Sequence, residues 1–233
     1  MEEINLQPIG GLCNRLRVLL SYKYEYHNKK INVYWIVKPE CPGFFLDYFE
    51  PIENVEFFHS IPKDVKILKE HITCKGSKPY INSVNNEEIL KCIFSNLVLK
   101  QGLQDKINKI IKDNYNDKYI SCHIRRTDHL KAFEKDNRTC DNDFINFLKK
   151  NKGNIYIATD NLDTQKIFYE KFKERIPYIK FIEKSDKLRQ TSIEDSIIDL
   201  YICASSNKFM GTYYSSYSGF IKRLQKYINS NIE

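Results

Sequence analysis

The feature of this sequence that most constrains its fold is a regular alternation of short apolar runs and helical segments from residue 118 onward. The apolar runs have the length and β-rich composition of buried strands: KYISCHI (118–124), NIYIAT (154–159), YIKFIE (178–183) and NKFMGT (207–212). The segments between and after them have helical periodicity: CDNDFINFLKK (140–150), NLDTQKIFYEKFKER (161–175), SIEDSIIDLYICA (192–204) and YYSSYSGFIKRLQKYI (213–228). Such alternation predicts parallel βαβ units and an α/β fold.

The N-terminal half begins in the same way. INLQPIG (4–10) predicts a strand that ends on Gly10 and Gly11, and LCNRLRVLLSYKYEY (12–26) places leucines at helical spacing. A second strand is expected in INVYWIV (31–37) and a helix in NEEILKCIF (86–94). We place the boundary between the halves in KDNYNDK (112–118), which predicts two domains, 1–115 and 116–233.

Composition narrows the classes of function. The 233 residues carry a net charge of +7, which fits an anionic partner. The basic clusters lack interleaved aromatic residues, so nucleic-acid binding is not expected. Seven cysteines without a CxxC pair argue against a zinc site or a disulfide framework. The sequence shows no signal peptide and no apolar stretch of about 18 residues, so we expect a cytoplasmic protein without a membrane span.

Polar residues follow the ends of the predicted strands, where the ligands of parallel sheets bind. They are Gly11, Asn14 and Arg15 after the first strand, Arg125, Arg126 and Asp128 after KYISCHI, Asp160 after NIYIAT, and Ser215, Ser216, Tyr217 and Ser218 after NKFMGT. Arginine forks and hydroxyls at a helix start suit phosphate oxygens, and a carboxylate can accept the paired N–H donors of guanine. Together they are complementary to a nucleoside diphosphate.

Structural roles remain open for several of these residues. Arg126 can pair with Asp128 in an ion pair, and Asp160 can cap the following helix. Ser215 and Ser216 can likewise be helix caps. His123 lies within a predicted strand, where a hydrogen-bonded core histidine is the competing interpretation.

Three motifs occur in order over most of the chain: GGLCNRL (10–16), HIRRTD (123–128) and FMGTYYSSYSGFI (209–221), with IYIATDN (155–161) before the last. With these motifs the sequence resembles the fucosyltransferase superfamily, which includes the α1,2-, α1,6- and protein O-fucosyltransferases and the bacterial nodulation fucosyltransferase. The resemblance implies a GT-B fold: two Rossmann-like domains facing a cleft, here with a reduced N-terminal domain.

The resemblance also implies roles for the donor-site residues. His123 and Asp160 would contact guanosine, Arg125 would bind the diphosphate, and Arg126 would support it. The hydroxyls from Ser215 to Ser218 would complete the phosphate site. Gly11, Asn14 and Arg15 would approach the donor from the N-terminal domain.

Three residues are predicted to be catalytic: Arg125, Asp128 and Glu134. Arg125 would stabilise charge on the leaving diphosphate, and Asp128 would orient the arginines. Glu134 is a candidate base for the acceptor hydroxyl, with Asp128 and His129 as rivals.

The implied reaction is an inverting, metal-independent transfer of a sugar, most simply L-fucose from GDP-fucose, to a glycan or another hydroxyl acceptor. No cofactor is expected beyond the GDP-sugar substrate. Two alternatives stay open. Asp141 and Asp143 in DND (141–143) have the shape of a metal-binding DxD motif, although an acidic residue that caps the start of the helix FINFLKK is the preferred explanation. The chain can also be a nucleotide-sugar-binding module without catalysis.

Overall fold

A computed structural model of the chain describes residues 3–71, 84, 86–115, 118–126, 139–183 and 191–230. It divides the chain into two compact units, Met1–Gln104 with Ser230–Glu233, and Asp105–Asn229. In each unit the strands pair in parallel and are accompanied by helices, which confirms the predicted α/β class. The assignment of an acceptor side and a donor side to the two halves stays a prediction.

The first unit contains a sheet of order β3-β2-β1-β4. Its strands are β1 (Glu3–Pro8), β2 (Lys30–Tyr34), β3 (Val55–Phe58) and β4 (Leu68–Glu70). Its helices are α1 (Leu12–Glu25), α2 (Glu87–Phe94) and a short 3-10 helix, Phe45–Asp47. α3 (Gln101–Asn114) follows and runs into the residues of the second unit.

The turn between β1 and α1 is set by two glycines. Gly10 has a φ of +89°, in the left-handed region that glycine occupies without steric cost, and Gly11 is the N-cap residue of α1. Leu16 and Leu19 on α1 are fully buried, as is Leu6 on β1. Burial of this leucine face holds the helix against the sheet, and the loop is therefore fixed at the carboxyl end of β1.

The second unit contains a sheet of order β6-β5-β7. Its strands are β5 (Tyr119–Ile124), β6 (Asn154–Thr159) and β7 (Lys208–Gly211). Its helices are α4 (Asp141–Lys150), α5 (Leu162–Phe172), a 3-10 helix (Lys173–Arg175), α6 (Ile193–Ala204) and α7 (Ser216–Asn229). All six residues of β5 are buried, which explains its unbroken apolar pattern. Burial also raises the pKa of the Cys122 thiol, as expected for an inert core residue.

The prediction of a strand in YIKFIE is wrong, because residues 178–183 form no strand. The side chain of Gln165 on α5 replaces the missing sheet partner. Its Nε2 donates to the Lys180 carbonyl at 2.9 Å, and its Oε1 accepts the Ile182 N–H at 3.0 Å. One glutamine amide thus satisfies the backbone groups that a neighbouring strand would otherwise bind.

Within the described part of the chain, no helix combines the length and apolar character that a membrane crossing requires.

Candidate active site

His123, on β5, contacts α7 and the residue that follows β7. Its Nδ1 shares a hydrogen bond of 2.7 Å with Ser218 Oγ on α7, and its ring lies 4.5 Å from the ring of Tyr217. Its carbonyl accepts the Thr212 N–H at 3.0 Å, beyond the end of β7. The residue is 7% exposed. The histidine therefore has the bonded, buried environment of a core residue, and its contact with guanosine stays a prediction.

The backbone of the two arginines is fixed by side chains from neighbouring loops. The Arg125 N–H donates to Thr212 Oγ1 at 3.0 Å, and the Arg126 N–H donates to Asp160 Oδ1 at 2.8 Å. Both residues are half-buried. Because the loops after β6 and β7 each hold one of the two N–H groups, the arginine pair is positioned from both sides of β5.

The Arg126 side chain is directed to the protein itself. Its Nε donates to Thr164 Oγ1 at 3.3 Å, and its guanidinium pairs with Asp141 at the start of α4. These contacts tie the Arg126 side chain to α4 and α5, and its role in supporting the diphosphate stays a prediction. The alternative partner, Asp128, lies outside the described residues.

Asp160 does not cap the helix that follows it. The N-cap of α5 is Asn161, whose Oδ1 accepts the Thr164 N–H at 2.8 Å and the Thr164 hydroxyl at 2.9 Å. Asp160 instead accepts the Arg126 N–H at the end of β5. The carboxylate is thereby held at the sheet edge beside Arg126, and its contact with the guanine base stays a prediction.

The hydroxyl-rich segment after β7 forms the start of α7. Ser215 Oγ accepts the Ser218 N–H at 3.3 Å, so Ser215 caps the helix. The Tyr217 hydroxyl donates to the Ser196 carbonyl of α6 and so supports the fold. The first turn of a helix directs N–H groups and the positive end of the dipole outward, which makes this end of α7 suitable for an anion.

Gly211 permits this close packing. A Cβ at this position would lie 2.5 Å from Ser218 Cβ and 2.6 Å from Ser218 Oγ, well inside van der Waals contact. The absence of a side chain at the end of β7 therefore lets α7 approach His123. The third motif, FMGTYYSSYSGFI, therefore requires glycine at position 211.

The glycine loop of the first unit is followed by Asn14 and Arg15, and the Arg15 side chain holds the loop in place. The Arg15 side chain donates to the Gly10 carbonyl at 2.8 Å and to the Ile36 carbonyl at 2.6 Å, and its guanidinium carbon lies 5.4 Å from the centre of the Trp35 ring. The residue is 1% exposed. A direct contact of Arg15 with the donor stays a prediction, and what the structure shows is a positioning role.

Sequence reasoning found no role for His71, which the structure places in contact with this loop. Its Nε2 shares a hydrogen bond of 3.3 Å with Asn14 Nδ2, and a Cβ on Gly10 would lie 3.0 Å from its ring. Asn14 Oδ1 is buried and has no hydrogen-bond partner within the described residues. The signal for His71 is its position directly after β4, a three-residue strand that the sequence pattern did not predict.

The acidic pair of DND has capping and ion-pair roles. Asp143 Oδ2 accepts the Cys140 N–H at 2.7 Å and so caps α4, and Asp141 pairs with Arg126. In the ranges that the structure describes, no three His, Cys, Asp or Glu side chains are grouped to hold a metal ion. The other two predicted catalytic residues, Asp128 and Glu134, lie outside those ranges.

Comparison with known proteins decides the family. The family model for GDP-fucose protein O-fucosyltransferase matches residues 12–228, which contain the second and third motifs and the first motif without its two glycines. The chain belongs to this family. The match confirms the resemblance to the fucosyltransferase superfamily that the motifs indicate.

Two curated relatives carry the same family name. GDP-fucose protein O-fucosyltransferase 2 of Plasmodium vivax (strain Salvador I) is 28% identical over 221 residues, which cover 91% of this chain and 44% of that protein. The protein of the same name from Plasmodium berghei (strain Anka) is 30% identical over 139 residues, covering 58% of this chain and 28% of that protein. The chain spans less than half the length of these relatives.

Solved fucosyltransferases share the fold of this family member. The structure of NodZ alpha-1,6-fucosyltransferase soaked with GDP-fucose superposes with a TM-score of 0.63 at 14% identity, covering 96% of this chain and 93% of that chain. POFUT1 in complex with GDP gives 0.59 at 13% identity, covering 98% and 96%. The predicted GT-B-like fold class is confirmed by these neighbours. A reduced N-terminal domain stays a prediction.

Proposed function

We propose that this family member is a glycosyltransferase that transfers L-fucose from GDP-fucose to an acceptor hydroxyl. The observation that carries the proposal is the grouping of Arg125, Arg126, Asp160 and the start of α7 at the carboxyl edge of one parallel sheet. The proposal is supported by the GDP-fucose named for the matching family and for the curated relatives. It is also supported by the GDP-fucose bound in two of the structural neighbours.

The groups at the carboxyl edge of the second unit's sheet suit the charge that the reaction produces. Cleavage of the bond between the sugar and the phosphate leaves negative charge on the GDP diphosphate. Arg125 supplies a guanidinium, and its backbone N–H is bonded to Thr212 in the turn that leads into α7. A guanidinium and a helix N-terminus can both stabilise that charge as it develops.

Inversion at the anomeric carbon and independence of metal ions are part of the proposal. An inverting transfer is a single displacement, in which the acceptor oxygen attacks opposite the diphosphate and GDP leaves with the bonding electron pair. The cationic groups at the sheet edge would replace the metal as the stabiliser of the leaving group. The acceptor hydroxyl loses its proton to a base, for which Glu134 and Asp128 stay candidates.

We propose a protein hydroxyl as the acceptor, as the names of the curated relatives indicate. A glycan acceptor is the second candidate, favoured by the similarity to the alpha-1,6-fucosyltransferase NodZ. An assay that offers folded protein domains and oligosaccharides separately, with radiolabelled GDP-fucose, separates the two.

The test compares release of GDP from GDP-fucose by the wild-type protein, Arg125→Ala and Lys171→Ala. We expect Arg125→Ala to lower turnover by roughly 10²–10³-fold, the range for losing one oxyanion donor. Lys171 is an exposed residue in the last turn of α5. Lys171→Ala is the control, since it removes one positive charge as Arg125→Ala does, and it is expected to leave turnover unchanged. Near-wild-type turnover of Arg125→Ala would refute the assignment of Arg125.

The alternatives are tested in the same assay. Loss of turnover in EDTA and its return with Mn²⁺ or Mg²⁺ would favour the metal-dependent reaction at Asp141 and Asp143. Tight binding of intact GDP-fucose without release of GDP, in the presence of acceptors as well, would favour a binding module.

A further inference from the structure

The turn between β7 and α7 exposes two large aromatic side chains. Tyr213 is 49% exposed and Tyr214 is 67% exposed, and their ring centres lie 4.3 Å apart in an edge-to-face arrangement. They lie directly before Ser215 and the start of α7. No step of the proposed reaction uses these two tyrosines.

The backbone of this turn is constrained in an unusual way. Ser215 N–H donates to the Thr212 carbonyl at 3.3 Å, which closes a four-residue turn around the two tyrosines. Tyr214 has a φ of +55°, a conformation that such a turn ordinarily gives to glycine or asparagine. Non-glycine residues held in this region cost free energy and are concentrated at functional sites. A tyrosine at this position therefore suggests a use for its ring.

Hydrogen bonds hold the first two residues of the turn, Thr212 and Tyr213, to neighbouring parts of the second unit. Thr212 Oγ1 accepts the Arg125 N–H at 3.0 Å, and the Tyr213 N–H donates to Thr139 Oγ1 at 2.9 Å. Thr139 and Thr212 are 4% and 3% exposed. Because these anchors are buried, the backbone of the turn is held in place before any ligand binds, which lowers the entropic cost of binding.

The order of the strands indicates what the aromatic pair would meet. The sheet order β6-β5-β7 places Asp160, Arg125 and the tyrosine turn at successive strand ends, and adjacent strands lie about 5 Å apart. An extended nucleoside diphosphate sugar with its base at β6 and its diphosphate at β5 directs its hexose toward β7. One face of a hexose ring consists of C–H groups, which pack on aromatic rings.

From these observations we infer that Tyr213 and Tyr214 form a platform that binds the hexose ring of the donor and so selects GDP-sugar over free GDP. The inference rests on the function proposed above and extends it, since it assigns the sugar end of the donor to residues of the second unit. It also provides for product release, because GDP without its sugar would lose this contact.

The test measures Kd for GDP and for GDP-fucose by isothermal titration calorimetry, for the wild-type protein and a Tyr213→Ala/Tyr214→Gly variant. Glycine suits the positive φ at 214, so the turn is expected to keep its conformation and the melting temperature should not fall. If the hexose covers roughly 50 Å² of apolar surface on the two rings, removing them weakens GDP-fucose binding by about tenfold. GDP binding should change by less than about twofold.

Ile167→Ala is the matched control, because Ile167 is 56% exposed on α5 in the same unit. It should leave both Kd values unchanged. If the ratio of the Kd for GDP to the Kd for GDP-fucose is the same in the wild-type protein and in the tyrosine variant, the inference alone is overturned. An equal loss of affinity for both ligands is one such result. Failure of the wild-type protein to bind either ligand would overturn the proposed function and the inference together.

Discussion

Replacing Gly211 with alanine is expected to destabilise the second unit and weaken GDP binding. The new Cβ would lie 2.5 Å from Ser218 Cβ and 2.9 Å from Phe209 Cζ. Ordinary contact between carbon atoms requires about 3.5 Å, so Ser218 has to move by about 1 Å. A movement of this size would lengthen the 2.7 Å hydrogen bond to His123 beyond the range of a good hydrogen bond.

The cost has two parts. Overpacking of a core position costs about 1–3 kcal/mol. Loss of a buried hydrogen bond, which leaves a donor or acceptor unsatisfied, costs about 1–3 kcal/mol. We expect Gly211→Ala to lower the free energy of unfolding by about 2–6 kcal/mol, and GDP affinity to fall because the start of α7 is displaced.

A double-mutant cycle with Ser218→Ala tests the reasoning. Ser218→Ala keeps the Cβ and removes the hydroxyl, so the hydrogen bond to His123 is already lost in that background. Gly211→Ala should then cost about 1–3 kcal/mol less than in the wild-type protein, as measured by urea denaturation. An equal cost in both backgrounds would show that the glycine does not act through the hydrogen bond between Ser218 and His123, and unchanged stability of Gly211→Ala would refute the packing argument.

Two further substitutions each test one structural residue, Asp199 in the second unit and Gly10 in the first. Burial raises the pKa of Asp199, whose carboxylate accepts the Tyr156 O–H at 2.5 Å, to about 7. The folded protein therefore holds this proton more tightly than the unfolded chain, and the resulting stability is complete below about pH 4 and is lost as the pH rises through about 7. Asn at position 199 cannot titrate. The free energy of unfolding of Asp199→Asn, measured by urea denaturation, should therefore rise by about 2 kcal/mol relative to that of the wild-type protein between about pH 5 and pH 8, after allowance for the partial exposure of the residue. A difference between the two proteins that does not change with pH would contradict the raised pKa. Gly10→Ala would strain a backbone of φ +89° and press on His71, and should lower the free energy of unfolding by about 1–3 kcal/mol in the same assay, whereas a neutral result would contradict the close contact.

The second unit was largely predictable because two of its strands, β5 and β6, are buried. β5, β6 and β7 carry apolar runs bounded by polar loops, and the rule that ligands bind at the carboxyl ends of parallel strands then selects the residues that follow them. The structure brings Arg125, Arg126, Asp160 and Ser215 to that edge. Periodicity does not show that Asn161, and not Asp160, caps α5, because both residue types favour that position.

Other features depend on tertiary contacts that a pattern cannot contain. YIKFIE has the composition of a strand, but the amide of Gln165 satisfies its backbone. Arg15 has the chemistry of a phosphate ligand, but the Ile36 carbonyl and the Trp35 ring enclose it. β4 is short and mostly exposed, so neither it nor His71 was distinguishable from a loop.

The most direct test of the account is nucleotide selectivity, measured by thermal unfolding of the chain with GDP, GDP-fucose, UDP and UDP-glucose. A ligand at about 100 times its Kd stabilises the folded state by about 2.7 kcal/mol, a readily measured rise in melting temperature. The account predicts this rise for GDP and GDP-fucose, and its reduction in Arg125→Ala. Stabilisation by the uridine nucleotides without stabilisation by the guanosine nucleotides would contradict it.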